Sequence, residues 1–388
     1  MKTLMAEDQA MARIGQGSKQ NQKKIRYAVA GLGHLAQVAI LPAFARTKNS
    51  ELVALVSGDA AKQKQLSRKY KIKTLGTYEQ YEECLREVDA VYIVLPNHRH
   101  KEFTIRALNA GVHVLCEKPM AVSVEDCKTM IAAADRTERK LMIAYRLHFE
   151  KANLDAIEMG AKGKLGELRF FTSEFAQQVA EGNIRVTESP SNGGGPVYDM
   201  GVYCINASRY LFRDEPVEIL ATSASRNDPR FKEAEEMTAV TMRFSGDRLA
   251  TFVASFGAAD ISRYTLVGTE GVLTADPAYE YAGALNLKID IGKRSSRRHY
   301  PKRDQFAAEI SYFSDCILQD KEPEPSGEEG LADVRIVEAI YESVRSGKSV
   351  QLAPFERKAR PGPQQEIHRP AHGKPKTVRA KSPSGEAA

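Results

Sequence analysis

The chain predicts an α/β protein. A doubly wound parallel sheet should occupy its first half, and an α+β half built on a mainly antiparallel, open-faced sheet should follow. Three observations carry this expectation. Short, almost wholly apolar β-prone runs alternate with helical stretches up to about residue 148. A glycine-rich turn joins the first of those runs to the first helix. Beyond about residue 150 the runs lengthen and alternate apolar with polar side chains, as strands covered on one face do.

Taken in order, Ile25 to Ala30 is a strand that leads straight into Gly31-Leu32-Gly33-His34-Leu35-Ala36. A helix should run on through Ile40 and Leu41, with Pro42 interrupting or kinking it. Leu52 to Ser57 reads as a strand buried on both faces, Ala60 to Tyr70 as a helix and Val88 to Leu95 as a strand. His100 to Ala110 is a helix closed by Gly111, Val112 to Cys116 a strand, and Leu141 to Tyr145 a further strand of the same sheet. In the second half, strands are expected over 165–175, 217–223, 238–244, 249–256 and 264–274. Two closing helices, Phe306 to Leu318 and Glu328 to Ser346, should pack back on the first half. The implied divisions are a flexible segment 1–24, a first domain 25–148, a second domain 149–352, and a disordered basic tail 353–388 rich in Pro, Lys, Arg and Gly.

Composition narrows the function classes. A chain of 388 residues is long for a single core. It has no apolar run long enough to span a bilayer, and residues 1–24 lack the apolar centre of a secretory signal, so no membrane association is expected. The five cysteines are scattered, without paired metal spacing, and fit buried thiols in a reducing cytoplasm. The net charge of +6 is concentrated at the two ends, leaving a mildly acidic middle that is no nucleic-acid groove.

Gly31 and Gly33, between a strand and a helix, let the backbone approach a pyrophosphate at the helix N-terminus, with His34 and Leu35 beside it. This is the fingerprint of a Rossmann domain for a nicotinamide dinucleotide. At the end of the second strand, Ser57-Gly58-Asp59-Ala60-Ala61-Lys62 decides which one. Ser57 and Gly58 admit a 2′-phosphate and Lys62 neutralises it, so NADP is expected; Asp59, if turned inward, would select NAD instead. Leu95-Pro96-Asn97-His98-Arg99-His100 closes the third clear strand. His98 and His100 have spacing for a shared metal, but no third ligand follows, so no metal is expected and His100 reads as a helix start. Lys118, in Cys116-Glu117-Lys118-Pro119, falls at the carboxyl edge of the sheet, where ligands bind in such folds. Asp199 and Tyr203 share a helix face at i, i+4 after the Gly193-Gly194-Gly195 bend.

In this order and spacing the three motifs resemble the glucose–fructose oxidoreductase, inositol dehydrogenase and rhizopine-catabolism (Gfo/Idh/MocA) family over roughly residues 25 to 352. Tyr203 stands where much of the family has His and resembles the glucose–fructose oxidoreductase branch. The resemblance implies an oxidoreductase acting on a sugar or polyol. Lys118 would stabilise the oxyanion, Tyr203 relay the proton, and Asp199 orient substrate hydroxyls or Lys118 itself. It implies cofactor contacts from Leu95, Pro96, Asn97, His100, Glu117, Lys118 (beside the nicotinamide as well as the reacting oxygen) and Arg146, the last in an Ala144-Tyr145-Arg146 variant of the family's Gly-Tyr-Arg element. Tyr145, His148 and Arg185 become candidate substrate contacts. A homodimer or homotetramer is implied through the open-faced sheet. A simple aldose or dihydrodiol dehydrogenase with exchangeable cofactor, and a cofactor-binding sensor without catalysis, are the rival readings. The chain departs from the family in its N-terminal segment, which is short and not proline-rich, and in the loop Ala176 to Ser191.

Overall fold

A computed structural model of the protein describes residues 23–357 and 359–385; the expectation for 1–24 lies almost wholly outside the described residues. Six strands form the first sheet: β1 (Ile25–Ala30), β2 (Ser50–Val56), β3 (Thr74–Gly76), β4 (Ala90–Ile93), β5 (His113–Glu117) and β6 (Leu141–Ala144). Their order is β3-β2-β1-β4-β5-β6, with every neighbouring pair parallel. Apolar side chains fill both faces of β1 and β4, which explains the unbroken apolar runs in the sequence. The order reverses between β1 and β4, and a crevice opens there at the carboxyl ends of the strands. β3 was not anticipated, because three residues are too few to show a period. Pro42 does not end its helix. The path runs from a wide turn, Ala36–Ile40, through Leu41–Ala43 into a tight one, Phe44–Arg46, so the proline changes pitch and not direction.

Nine strands form the second sheet: β7 (Leu168–Ala176), β8 (Pro216–Ala224), β9 (Met237–Phe244), β10 (Leu249–Ser255), β11 (Ile261–Gly268), β12 (Gly271–Ala275), β13 (Leu285–Ile291), β14 (Arg294–Tyr300) and β15 (Val350–Gln351). The order is β14-β13-β12-β11-β7-β10-β9-β8-β15, antiparallel throughout except between β7 and β10. The single strand expected over 264–274 is a hairpin, β11 and β12, turning at Thr269-Glu270. β14 carried no apolar signal because six of its seven residues face solvent. Helices Lys151–Ala161 and Val202–Phe212 contribute to the core on one face of the sheet. The other face leaves Phe170 on β7, Leu249 and Val253 on the adjacent β10, and Leu220 two strands further on β8 between 38% and 51% exposed, an open apolar area.

The closing helices join the two halves. Helix Gln305–Leu318 puts Phe306, Ile310 and Phe313 into the same core as Tyr27, Val29 and Leu55 of the first sheet. Helix Gly327–Ser346 sends Val334 into the first half and Ile336, Val337 and Ile340 into the second. The tail from 353, expected to be disordered, instead follows a defined path to residue 385. Its few apolar groups would not hold it, but its charges find buried partners. Arg357 pairs with Glu329 at 2.8 Å, Arg360 with Glu215 at 2.9 Å, and Gln365 Nε2 donates to the Glu324 carbonyl at 2.8 Å. All five cysteines are free and buried. Among the described residues no helix is long and apolar enough to cross a membrane.

Candidate active site

The glycine turn at the end of β1 is shaped by contact. Gly31 has φ +98°, and a Cβ there would sit 2.2 Å from the Val94 carbonyl oxygen, so only glycine lets β1 and β4 approach. At Gly33 a Cβ would meet nothing within 4 Å, which leaves open space above the backbone N–H groups of the following helix. His34 Nε2 is buried there without a partner. An open cradle at a helix start with an orphaned polar nitrogen fits the pyrophosphate of a dinucleotide. Leu35 packs beneath the turn as a partly buried member of the first-half core.

At the end of β2, Ser57 is buried and its Oγ accepts from the Asp59 N–H at 3.1 Å. Gly58 lies under the Tyr78 ring, which a Cβ would meet at 3.0 Å. Asp59 does not turn inward as a free carboxylate. It caps helix Ala60–Tyr70, accepting from the Lys62 N–H at 2.9 Å. Leu95 and Pro96 end the β4 loop. Asn97 ties that loop to the second half, donating from Nδ2 to the Gly193 carbonyl at 2.7 Å. Gly193 (φ +80°) has no room for a Cβ, which would fall 2.5 Å from that of Asn97.

The crevice brings together Lys118, Asp199, Tyr203, Arg146 and Arg185. Lys118 Nζ donates to the Asp199 carbonyl at 2.7 Å and to Asp199 Oδ1 at 3.0 Å, and lies 4.6 Å from the Tyr203 ring centre. Asp199 Oδ2 accepts from Arg185 Nε at 2.5 Å. Arg146 Nη2 donates to the Tyr203 hydroxyl at 3.3 Å and to the Tyr279 carbonyl at 2.7 Å, while Gln305 Oε1 accepts from its Nη1. Burial alone would lower the Lys118 ammonium and raise the Asp199 carboxyl. The opposite charges win in both cases: Asp199 holds Lys118 above its ordinary value, and Arg185 with Lys118 holds Asp199 well below the usual carboxylate range. Each of Asp199's oxygens thus accepts from one cation, Oδ1 from Lys118 and Oδ2 from Arg185. An ammonium has three N–H donors. Two point at Asp199, which leaves one for a substrate oxygen.

Behind Lys118 sits a buried carboxyl pair. The Tyr92 hydroxyl lies 2.8 Å from Glu117 Oε1 and 2.6 Å from Glu309 Oε1. One phenol proton serves only one acceptor, so one of the two carboxyls is itself protonated and donates to the phenol oxygen. Burial raises both, and each would repel the other if ionised. The folded state thus holds a proton that the unfolded chain releases in the ordinary carboxylate range, and stability falls as pH rises above that range. Glu309→Gln should remove that slope, worth up to about 1.4 kcal/mol per pH unit, which urea unfolding at pH 6 and pH 8 would read. Identical pH slopes in variant and wild type would refute the shared proton.

Three expected site residues are elsewhere. His100 is fully buried, its Nδ1 2.8 Å from the Pro119 carbonyl and its Nε2 2.9 Å from that of Leu95, so it braces the two loops from behind. Two carbonyl acceptors ask for a doubly protonated ring, whereas burial drives the imidazole toward its neutral form. His148 is also fully buried, with Nδ1 3.2 Å from Glu324 and Nε2 2.8 Å from the Asn206 side-chain oxygen. Tyr145 stacks on it at 5.5 Å inside the first-half core. Neither reaches the crevice, because the short turn Arg146–Phe149 points only Arg146 of this group outward to Tyr203. Sequence reasoning missed Gln305, Tyr281 and Glu309, which arrive from outside every motif. Gln305, Tyr281 and Phe306 line a cavity of about 200 Å³ beside His34 and Val38.

Fold and site together define a dinucleotide-dependent oxidoreductase. Residues 25–145 match the model of an oxidoreductase family with an NAD-binding Rossmann fold, and residues 154–274 match the GFO/IDH/MocA C-terminal domain. A D-xylose 1-dehydrogenase (NADP(+)) from Haloarcula marismortui is 30% identical over 335 residues, covering 84% of this chain and 93% of its own. An aldose-aldose oxidoreductase from Caulobacter crescentus, solved with glycerol, superposes with a TM-score of 0.81 at 37% identity, covering 85% of this chain and all of its own. A 3-ketoreductase from Actinomadura kijaniata, solved with NADP and TDP-benzene, gives a TM-score of 0.76 at 26% identity, covering 83% of this chain and 98% of its own. The chain belongs to the Gfo/Idh/MocA oxidoreductase family.

Proposed function

We propose that the protein is an NADP-dependent oxidoreductase acting on a carbinol of a sugar or polyol, oxidising an aldose to its lactone. The carrying observation is Lys118 clamped by Asp199 with one donor left over, against the face of Tyr203. The names of the xylose dehydrogenase and aldose-aldose oxidoreductase relatives support the substrate class, and those of the NADP-linked relatives support the cofactor. Bound nicotinamide supplies the hydride acceptor. The chain's own part is charge and proton management. Tyr203, once its own proton has passed to solvent, takes the substrate hydroxyl proton at its phenolate Oη, and the third Lys118 N–H meets the substrate oxygen as it becomes negative. Arg146, 5.1 Å from the Tyr203 ring centre, adds a second fixed cation beside the phenol. Arg185 holds Asp199 from the loop side and brings the loop 184–195 to the crevice mouth.

The finer reading is a ping-pong enzyme that keeps its cofactor and reduces a second carbonyl sugar. Absorbance and fluorescence of the purified, dialysed protein test it, before and after adding glucose or xylose. A nicotinamide signal that survives dialysis and becomes reduced on adding sugar supports it. Turnover only with added NADP marks an ordinary dehydrogenase, and NADP binding without turnover on a broad sugar panel marks a sensor. Tyr203→Phe should lower kcat by about 10²–10⁴ with cofactor binding retained. An unchanged kcat would remove Tyr203 from the proton path.

A further inference from the structure

The C-terminal segment is hydrogen-bonded to both halves of the molecule. On the first half, Gln37, in the helix after the glycine turn, donates from Nε2 to the Val378 carbonyl at 2.9 Å and accepts the Val378 N–H through Oε1 at 2.6 Å. Lys69 Nζ donates to the Lys376 carbonyl at 3.1 Å, and Arg379 Nε donates to Asp59 Oδ2 at 2.9 Å. On the second half, the Ala180 N–H donates to the Pro383 carbonyl at 2.9 Å, in the loop that also carries Arg185. Lys374 lines the cavity beside His34. Gln37 follows Gly33, which has open space above it, by four residues, its N–H donating to the Gly33 carbonyl at 3.2 Å, and Asp59 follows the Ser57-Gly58 turn directly.

Resting on the reading of this crevice as an NADP site, we propose that residues 374–383 form a cofactor clamp in which Arg379 recognises the 2′-phosphate. Asp59 is a carboxylate at the β2 end that would repel that phosphate. Arg379 pairs with it and is itself 61% exposed, with guanidinium N–H groups still to give. The pairing turns a group that would select NAD into the fixed half of a phosphate site. The strap also reaches the second half at Ala180, so it closes the crevice with residues of the same chain.

The test uses the full-length wild type and Arg379→Ala, titrated with NADPH and NADH by nicotinamide fluorescence, with amide exchange of residues 374–383 followed by mass spectrometry. Arg379→Ala should weaken NADPH by about tenfold and leave NADH within about twofold, and the difference should shrink at high salt. Exchange in 374–383 should slow on adding NADPH to the wild type, and less so in the variant. Equal weakening of both cofactors, or of neither, overturns the clamp while leaving the NADP reading intact. A wild type that binds neither cofactor overturns both.

Discussion

Lys118→Ala should cut turnover by about 10³-fold or more while the protein still binds nicotinamide dinucleotide, because the loss falls on charge developing in the reaction and not on the cradle. The side chain is only 8% exposed and is fixed by both the backbone and the carboxylate of Asp199, so its remaining donor is aimed before substrate arrives. The glycine turn and the Ser57 segment hold the cofactor in this reading, and the hydrogen bonds of Lys118 go to Glu117 and Asp199 instead. The variant leaves Asp199 with Arg185 alone, a pairing that keeps the carboxylate ionised and the loop in place. Steady-state kinetics on the best sugar, beside fluorescence titration of the cofactor, separates the two effects. Turnover within tenfold of wild type would displace Lys118 from the chemistry, and lost cofactor binding would make its role one of anchoring.

The largest effect on stability is expected at Arg209, far from that chemistry. Arg209 is wholly buried, and its guanidinium meets Glu215 at 2.6 Å, Glu329 at 2.7 Å and Asp333 at 2.6 Å. Glu329 and Asp333 lie on helix Gly327–Ser346, which joins the two halves. Burial pushes Asp333 up to about 7 against the pull of Arg209, whereas Glu329 stays well below the carboxylate range because the attraction of Arg209 and Arg357 outweighs burial. Arg209→Met keeps the bulk and removes the charge, which strands the carboxylates. The expected cost is about 3–5 kcal/mol. The stranded groups then titrate above their unfolded values, so the variant loses stability as pH rises, and the deficit should be smaller at pH 5 than at pH 8. Urea midpoints at the two pH values give the answer. A deficit below about 1 kcal/mol at pH 8 would mean that Arg357 and Arg360 suffice to neutralise the cluster.

The motifs that could be read directly were those in which a short stretch of chain builds its own geometry. Gly31 is legible because a strand that must turn under the Val94 carbonyl tolerates no Cβ, and Asp199 and Tyr203 because one helical turn puts them on one face. His148 and Tyr145 misled for the opposite reason. Their position after Ala144 suggested the crevice, but the short turn there directs them into a core whose acceptors, Asn206 and Glu324, come from distant segments. The tail misled through composition. A polar, basic segment lacks the apolar area to order itself, and it is ordered by acids buried elsewhere in the chain.

By itself, then, the sequence determined the parallel sheet and the glycine cradle, since periodicity and turn sterics are local properties, while Lys118, Asp199 and Tyr203 were singled out by family resemblance as the proposed site. The tertiary structure alone decided that Asp199 serves Lys118, that Glu117 shares a proton network with Glu309, and that Arg379 lies against Asp59. Those pairings join residues from 81 to 320 positions apart. What a charged side chain does depends on which opposite charge the fold delivers to it, and no local pattern encodes that.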